Sequence, residues 1–223
     1  MKKIFLCLVI VFTASTAIAD SKPIQLSLIP DIALHGRNEI IEGLTLSVWG
    51  ENQQSAMSFG IMNGSTGQSS GMSLGFVNYA DCYKGMHFAL GNYTSNNFFG
   101  LQLGAVNYAG YLRGMQFGFI NYADSAQTSV FQLGFLNYFG NMRGLQLGFI
   151  NYAETTKSFG FQLGLVNYTG NMNGVQLGLI NYAVDAQSGV QIGILNVIAQ
   201  NSKWFGNFPD EVAPGMLLVN WRF

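Results

Sequence analysis

Apolar and polar residues alternate in short segments that recur along most of the chain. In residues 100–109, GLQLGAVNYA, we expect Leu101 and Leu103 on one face of an extended strand and Gln102 on the other. About ten similar segments follow one another between residues 55 and 198. Each contains an asparagine at the same place, and these asparagines are 14 to 16 residues apart: Asn63, Asn78, Asn92, Asn107, Asn121, Asn137, Asn151, Asn167, Asn181 and Asn196. The chain therefore contains internal repeats, and these predict a regular all-β architecture.

The connectors between the repeats alternate between two kinds. Gly140–Arg143 and Gly170–Asn173 are short and contain Gly-Asn-Met, whereas Asp124–Ser129, Glu154–Ser158 and Val184–Ser188 are polar and slightly longer. Two unlike turns in alternation are typical of up-and-down antiparallel strands, with one turn type at each end. The pattern thus favours a unit of two strands and two turns, about 30 residues long.

Charged residues avoid the repeat segments. Charged residues make up 9% of the sequence, where about 25% is usual. Those between residues 55 and 198 all fall in connectors: Asp81, Lys84, Arg113, Asp124, Arg143, Glu154, Lys157 and Asp185. A charge that faces lipid at the midplane costs roughly 2–4 kcal/mol. We therefore expect an up-and-down antiparallel β-barrel of about 12 strands, built from repeats of about 15 residues, in a bacterial outer membrane.

The barrel hypothesis assigns roles to two rows of residues. The residues expected to line a neutral polar lumen are Gln102, Gln116, Gln132, Gln146, Gln162, Gln176, Gln191 and His87. The residues expected to form aromatic girdles at the two rims are Tyr79, Tyr93, Tyr108, Tyr122, Tyr138, Tyr152, Tyr168 and Tyr182. The expected function is a structural or passive-channel role, with the lipid bilayer of the outer membrane as the partner.

A β-solenoid is the alternative architecture. Coils of about 30 residues would stack Gln146 near Gln176, and ladders of Asn and Gln suit stacked strands. Against it stands the outer surface, for which the strands offer only Gln, Asn and Gly to meet water. The corresponding function is a surface-exposed adhesion or binding protein.

The N-terminus has the features of an export signal. Lys2 and Lys3 precede the apolar run Ile4–Phe12, and Ala17-Ile18-Ala19 is a small-x-small cleavage site. We expect a cleaved signal peptide at 1–19, an arm or plug at 20–42 and the repeat barrel at 43–223. This organisation places the protein at the outer membrane and cell surface.

The sequence offers few candidates for catalytic or metal-binding residues. Gly67–Gly71 fits the G-x-S-x-G motif of hydrolases, but that motif requires a strand-to-helix turn, and here it joins two repeat strands. With His35 and His87 as the only histidines, the sequence indicates neither a metal site nor a cofactor. The formal net charge of −1 gives no reason to expect nucleic acid as a partner. We expect a protein that is not an enzyme.

The repeats resemble the Gly-Leu-Gln-x-Gly surface repeats of a bacterial family found in spirochaetes and other Gram-negative groups. The resemblance extends from about Ser55 to Phe223 and implies placement at the cell surface or outer membrane, without catalytic residues. The C-terminal strand ending at Phe223 is similar to the C-terminal signal of outer-membrane barrels. This similarity implies recognition by the outer-membrane assembly machinery.

Overall fold

The computed structural model describes residues 21–126, 130–201 and 214–223, with the side chains of residues 157 and 158 excepted. The predicted signal peptide at 1–19 and part of the last connector lie outside the described residues. The described chain is all-β. Its twelve strands are β1 (Ser21–Ile29), β2 (Ile32–Ala33), β3 (Ile40–Gln54), β4 (Met57–Leu74), β5 (Val77–Phe88), β6 (Gly91–Leu103), β7 (Val106–Phe117), β8 (Ile120–Ala126), β9 (Val130–Leu163), β10 (Val166–Leu177), β11 (Ile180–Ile198) and β12 (Gly215–Arg222).

The strands form one sheet in which most neighbours run parallel. From β3 to β11 each strand pairs with the next in sequence order, and β9 also pairs with β7. The register joins equivalent repeat positions, so Asn107 pairs with Asn121 and Tyr108 with Tyr122. Antiparallel pairs occur only at the two ends of the described sheet, where β2 meets β1 and β12 meets β11.

Each coil turns twice and closes around its own interior. The first turn lies at residues 104–105, and Gln102 Nε2 donates across the interior to Tyr108 O at 3.1 Å. The chain bends back again within β10, where the register shifts between Met172 and Asn173 and Gly174 has a φ of 136°. Across this bend Gln176 Nε2 donates to Thr169 Oγ1 at 3.1 Å. The fold is therefore a parallel β-solenoid of about ten coils.

The predicted antiparallel barrel is wrong. A barrel requires neighbouring strands to run in opposite directions and the sheet to close on itself. Here the neighbouring coils are parallel, and the two ends of the strand order are β12 and β2. The predicted lumen and the two rims do not exist in this architecture.

The alternative prediction named the right architecture with the wrong coil length. Gln146 pairs through hydrogen bonds with Gln132 and Gln162, which are 14 and 16 residues away, and not with Gln176. One repeat of about 15 residues completes a coil because it contains both turns. The two connector types therefore belong to alternate coils. They are not the two ends of a single coil.

The segment expected to be an arm or plug contributes to the same sheet. β1 lies parallel to β3, with Gln25 opposite Thr45. Gln25 is fully buried, and its Nε2 donates to Asn52 Oδ1 at 2.9 Å. Together β1 and the short β2 cover the end of the stack that would otherwise expose the edge of β3.

A continuous ladder of asparagine side chains runs through the interior. Nine hydrogen bonds of 2.8–3.1 Å join the Nδ2 atom of each repeat asparagine to the Oδ1 atom of the next, from Asn63 to Asn196. Most of these Nδ2 groups also donate to a backbone carbonyl, as Asn107 does to Phe117 O at 2.9 Å. A buried amide without partners would be destabilising, so the ladder requires the coils to stack in register.

The repeat glutamines form a second ladder. Six hydrogen bonds of 2.7–2.9 Å join each Nε2 atom to the Oε1 atom of the preceding coil, from Gln191 back to Gln102. The donors of this ladder point toward the N-terminal end of the stack, whereas the donors of the asparagine ladder point toward the C-terminal end. Every glutamine from Gln102 to Gln191 in this row is buried.

The apolar part of the interior lies beside the connector turns. It combines repeat alanines such as Ala109 and Ala123 with larger side chains such as Leu112, Phe139 and Met142. These side chains are buried to 3% exposure or less. The interior is thus amide-rich near the turn at residues 104–105 and apolar near the connectors.

The turn glycines are required by the close approach of successive coils. A Cβ atom at Gly118 would lie 2.3 Å from Gly104 O and 2.6 Å from Asn107 Nδ2. Neither atom can move without disturbing the backbone of the neighbouring coil or the asparagine ladder. This steric limit explains the second glycine of most G-x-Q-x-G segments.

Removing one ladder asparagine is expected to destabilise the fold. Asn121→Ala removes the acceptor of one of the two Asn107 Nδ2 hydrogen bonds and the donor to Asn137 Oδ1, at about 1–3 kcal/mol each. We expect the free energy of unfolding in urea to fall by about 2–5 kcal/mol. The exposed Asn96→Ala is the control and should change it by less than about 0.5 kcal/mol. Equal effects of the two substitutions would contradict a structural role for the ladder.

The glycine constraint predicts a contrast between two alanine substitutions. Gly118→Ala should lower the free energy of unfolding by about 3 kcal/mol or more, since the added methyl group meets backbone atoms. Gly91→Ala, in another coil, meets no atom within 4 Å and should be neutral or slightly stabilising. Urea unfolding of both variants measures the difference, and a neutral Gly118→Ala would refute the close approach.

Candidate functional site

The outer surface of the coils is apolar along one edge. At this edge a large apolar side chain projects from the turn of each coil except one, where Ala105 takes its place. These large side chains are 38–62% exposed: Phe76, Leu90, Phe119, Phe135, Phe149, Leu165, Leu179 and Ile194. Outward-facing neighbours on the two sides of the turn are also exposed: Leu103, Leu133, Leu163, Ile192, Val77, Val106, Ile150, Ile180 and Leu195. We call these residues together the apolar strip.

The strip is continuous from coil to coil. The rings of Phe119 and Phe135 stack with centroids 4.9 Å apart, and those of Phe135 and Phe149 with centroids 4.8 Å apart. Successive strands in a sheet are about 4.8 Å apart, so the rings follow the rise of the stack. Contiguous apolar surface of this kind is rare on soluble monomers and marks an interaction site.

The backbone under the strip is hydrogen-bonded even at the turn. Phe119 N and Ile120 N both donate to Ala105 O at 2.9 Å. Phe135 N and Leu136 N donate in the same way to Phe119 O, at 3.0 and 2.9 Å. These turn amides therefore need no water, in contrast to the amides of an ordinary surface loop.

A row of tyrosines borders the strip. The structure places Tyr79 to Tyr182 in one row, because the strands run parallel, and not at two opposite rims. From Tyr93 to Tyr182 the rings stack with centroid distances of 4.3–5.5 Å. The tyrosine row thus forms one flank of the solenoid.

The tyrosine hydroxyls point toward the connectors. Tyr108 Oη donates to Asp124 Oδ2 at 2.8 Å, and Tyr138 Oη donates to Glu154. The hydrogen bond to Asp124 raises the pKa of Tyr108 to about 12. The ring bodies adjoin the apolar strip, while the polar ends lie beside charged groups.

Charged residues of the repeats lie at the connector edge, opposite the strip. Among described side chains between residues 55 and 198 they are Asp81, Lys84, Arg113, Asp124, Arg143, Glu154 and Asp185. Lys84 and Arg113 lie over the ring of Phe99, with their charged groups 5.7 and 4.8 Å from its centroid. The solenoid is therefore amphipathic across its cross-section.

The residues predicted to line a lumen are buried in the interior. The seven glutamines form the ladder described above. His87 occupies the same row, between Ser73 and Gln102, and is fully buried. Its ring lies 4.0 Å from Tyr83 and 5.2 Å from Phe98, measured between centroids. Burial lowers the pKa of His87 to about 3, so the ring is neutral at pH 7.

The hydrolase-like motif has no catalytic geometry in the described structure. Ser69 Oγ accepts from Gln54 N at 2.9 Å and donates to Thr66 O at 2.8 Å, so its hydrogen bonds are local. Neither ring nitrogen of His87 has a hydrogen-bond partner within the described chain. The expectation of a non-enzymatic role stays a prediction.

Within 21–126, 130–201 and 214–223, no group of three or more His, Cys, Asp or Glu residues could hold a metal ion. In the same ranges there is no helix of sufficient length and hydropathy to cross a membrane.

Comparisons with known proteins give no match: no family model, no curated protein and no solved structure is similar enough to report. The resemblance to Gly-Leu-Gln-x-Gly surface-repeat proteins therefore stays a prediction.

The sequence analysis missed the turn residues of the strip. Phe119, Phe135 and Phe149 each follow the second glycine of a repeat, at one fixed position. A glycine followed by two apolar residues, which recurs in most repeats, is the signal in the sequence for a turn with an apolar exterior.

The buried histidine predicts a loss of stability in acid. Between pH 6.5 and about 3 the unfolded chain binds a proton at His87 that the folded protein does not bind. The free energy of unfolding should therefore fall as the pH falls through this window, by roughly 1.4 kcal/mol per unit from this group. His87→Gln removes this contribution and offers Gln102 a ladder partner.

Urea unfolding at pH 7 and pH 4 of the wild type and of His87→Gln measures the effect. His35→Gln serves as the matched control and should keep the wild-type difference between the two pH values. If the free energy of unfolding falls equally between pH 7 and pH 4 in the wild type and in His87→Gln, the buried ring does not cause the fall.

Proposed function

We propose that the protein is an exported β-solenoid of the cell surface that attaches to a component of the cell envelope through the apolar strip. The single observation that carries this proposal is the separation of the strip from the charged connector edge. Because interior positions are occupied by amide ladders and small or apolar side chains, a channel role has no support. A binding role at the surface is supported by the size and continuity of the strip.

The arrangement supports attachment by one edge and display of the other. The strip has no charged residue in the coils from residue 57 onward, so its burial against an apolar partner desolvates no ion. The connector edge carries both acidic and basic residues and suits contact with water. The N-terminal features of an export signal support delivery out of the cytoplasm.

Envelope attachment in a Gram-negative host tests the proposal. The chain of residues 1–223 is expressed with its own N-terminus, and the envelope and soluble fractions are compared. Phe149→Lys with Leu179→Lys places two charges in the strip, at side chains that are 52% and 49% exposed. We expect the wild type in the envelope fraction and the strip variant in the soluble fraction.

Asn96→Lys with Asn97→Lys is the matched control, since it adds the same two charges at exposed positions near the connector edge. This variant should remain in the envelope fraction. Circular dichroism of each purified variant verifies that the β-structure is retained. Attachment of the strip variant at the wild-type level, with its fold intact, would refute the proposal.

A further inference from the structure

We infer that the component bound by the apolar strip is the surface of a lipid bilayer, into which the solenoid lies edge-on without crossing it. This inference rests on the proposed function and specifies its partner. The strip would enter the boundary between headgroups and acyl chains, with the axis of the stack parallel to the membrane plane. The connector edge would remain in water.

The backbone amides of the turn are hydrogen-bonded within the protein. Hydrocarbon offers no partner to a backbone amide, so a loop can enter it only when its own amides and carbonyls are paired. At this turn the amides of Phe119 and Ile120 are paired with Ala105 O, and those of Phe135 and Leu136 with Phe119 O in the next coil. A protein partner could tolerate unpaired groups at a wet rim, so this feature favours lipid.

The tyrosine row lies between the apolar strip and the charged connector edge. Tyrosine is enriched at membrane–water boundaries because its ring is apolar and its hydroxyl is polar. In the solenoid the rings adjoin the strip, and the hydroxyls of Tyr108 and Tyr138 point away from it toward Asp124 and Glu154. The row therefore lies at the depth where headgroups would meet the protein.

The charges beside the tyrosine row differ from those of most proteins that bind membrane surfaces. Interfacial binding usually combines an apolar face with basic residues that attract anionic lipids. The charged groups that the tyrosine hydroxyls contact, on the side of the row away from the strip, are instead acidic: Asp124 and Glu154. The geometry thus fits zwitterionic headgroups, with binding that neither salt nor anionic lipid strengthens.

The length of the strip is also adequate. The turn row extends over nine coils from Phe76 to Ile194, which corresponds to about 40 Å at about 4.8 Å per coil. An interfacial helix of 20–30 residues extends about 30–45 Å and is buried to a depth of about 5–10 Å. The strip therefore offers a contact comparable in length to known interfacial elements.

A vesicle experiment with protein purified from the exporting host tests the inference. A fluorescent probe that is sensitive to polarity is attached at Leu165→Cys in the strip, or at Asn96→Cys as the control, in a Cys82→Ser background. Phosphatidylcholine vesicles with brominated acyl chains are added. We expect co-flotation with the vesicles, a blue shift and bromine quenching at position 165, and no change at position 96.

The charge argument sets further expectations for the same vesicles. The partition coefficient of the protein into vesicles should change little when phosphatidylglycerol is included or when the salt concentration is raised. Phe149→Lys with Leu179→Lys should lower the partition coefficient at least about tenfold, because two ions must then enter the interface. A requirement for anionic lipid would overturn the inference, since it would place the contact at the basic residues of the connector edge.

The remaining outcomes separate this inference from the proposed function. If vesicles are not bound but envelope attachment still depends on the strip, the inference is wrong and the partner is a protein. If position 165 becomes buried without lipid, together with a dimer in sedimentation, the strip pairs with a second copy of the chain. If the strip variant binds vesicles and envelope like the wild type, both proposals are wrong.

Discussion

Buried side-chain amides determine this fold. An asparagine or glutamine in a protein interior is tolerated only when its donors and acceptors are satisfied. In the solenoid the required partner is the same residue one coil away, and the observed distances of 2.7–3.1 Å leave no freedom of register. A shift by one residue would break both ladders at once, so the amides align the strands as well as stabilise them.

The apolar edge of the surface lies directly outside the amide ladders. Amides occupy the inward positions next to the turn at residues 104–105, and the alternating positions that point outward carry Leu, Phe, Val and Ile. The usual arrangement of apolar interior and polar exterior is thus reversed at this edge. At the connector edge it is restored, with Leu112 and Met142 inside and charges outside. The apolar strip and the two ladders thus occupy opposite faces of the same strands.

Sequence alone predicted an all-β repeat, the period near 15 residues, the shared face of the glutamines and the confinement of charges to connectors. It did not predict strand direction. Alternation in L-Q-L-G describes a membrane strand and a solenoid wall equally well, since both separate Leu103 from Gln102. What decides between them is the partner of Asn107, a contact 14 residues away that no local pattern reports. The apolar strip could not be predicted as one surface, because only the fold places Phe119 and its equivalents at a turn.

The opposite polarity of the two amide ladders has a consequence for repeat number. Each ladder is a row of aligned dipoles, and a single row would accumulate unlike partial charges at its two ends as coils were added. The asparagine amides donate in one direction and the glutamine amides in the other, so the two rows largely cancel. Electrostatics therefore imposes no limit on length, and duplication of a coil could extend the molecule without a growing field along its axis.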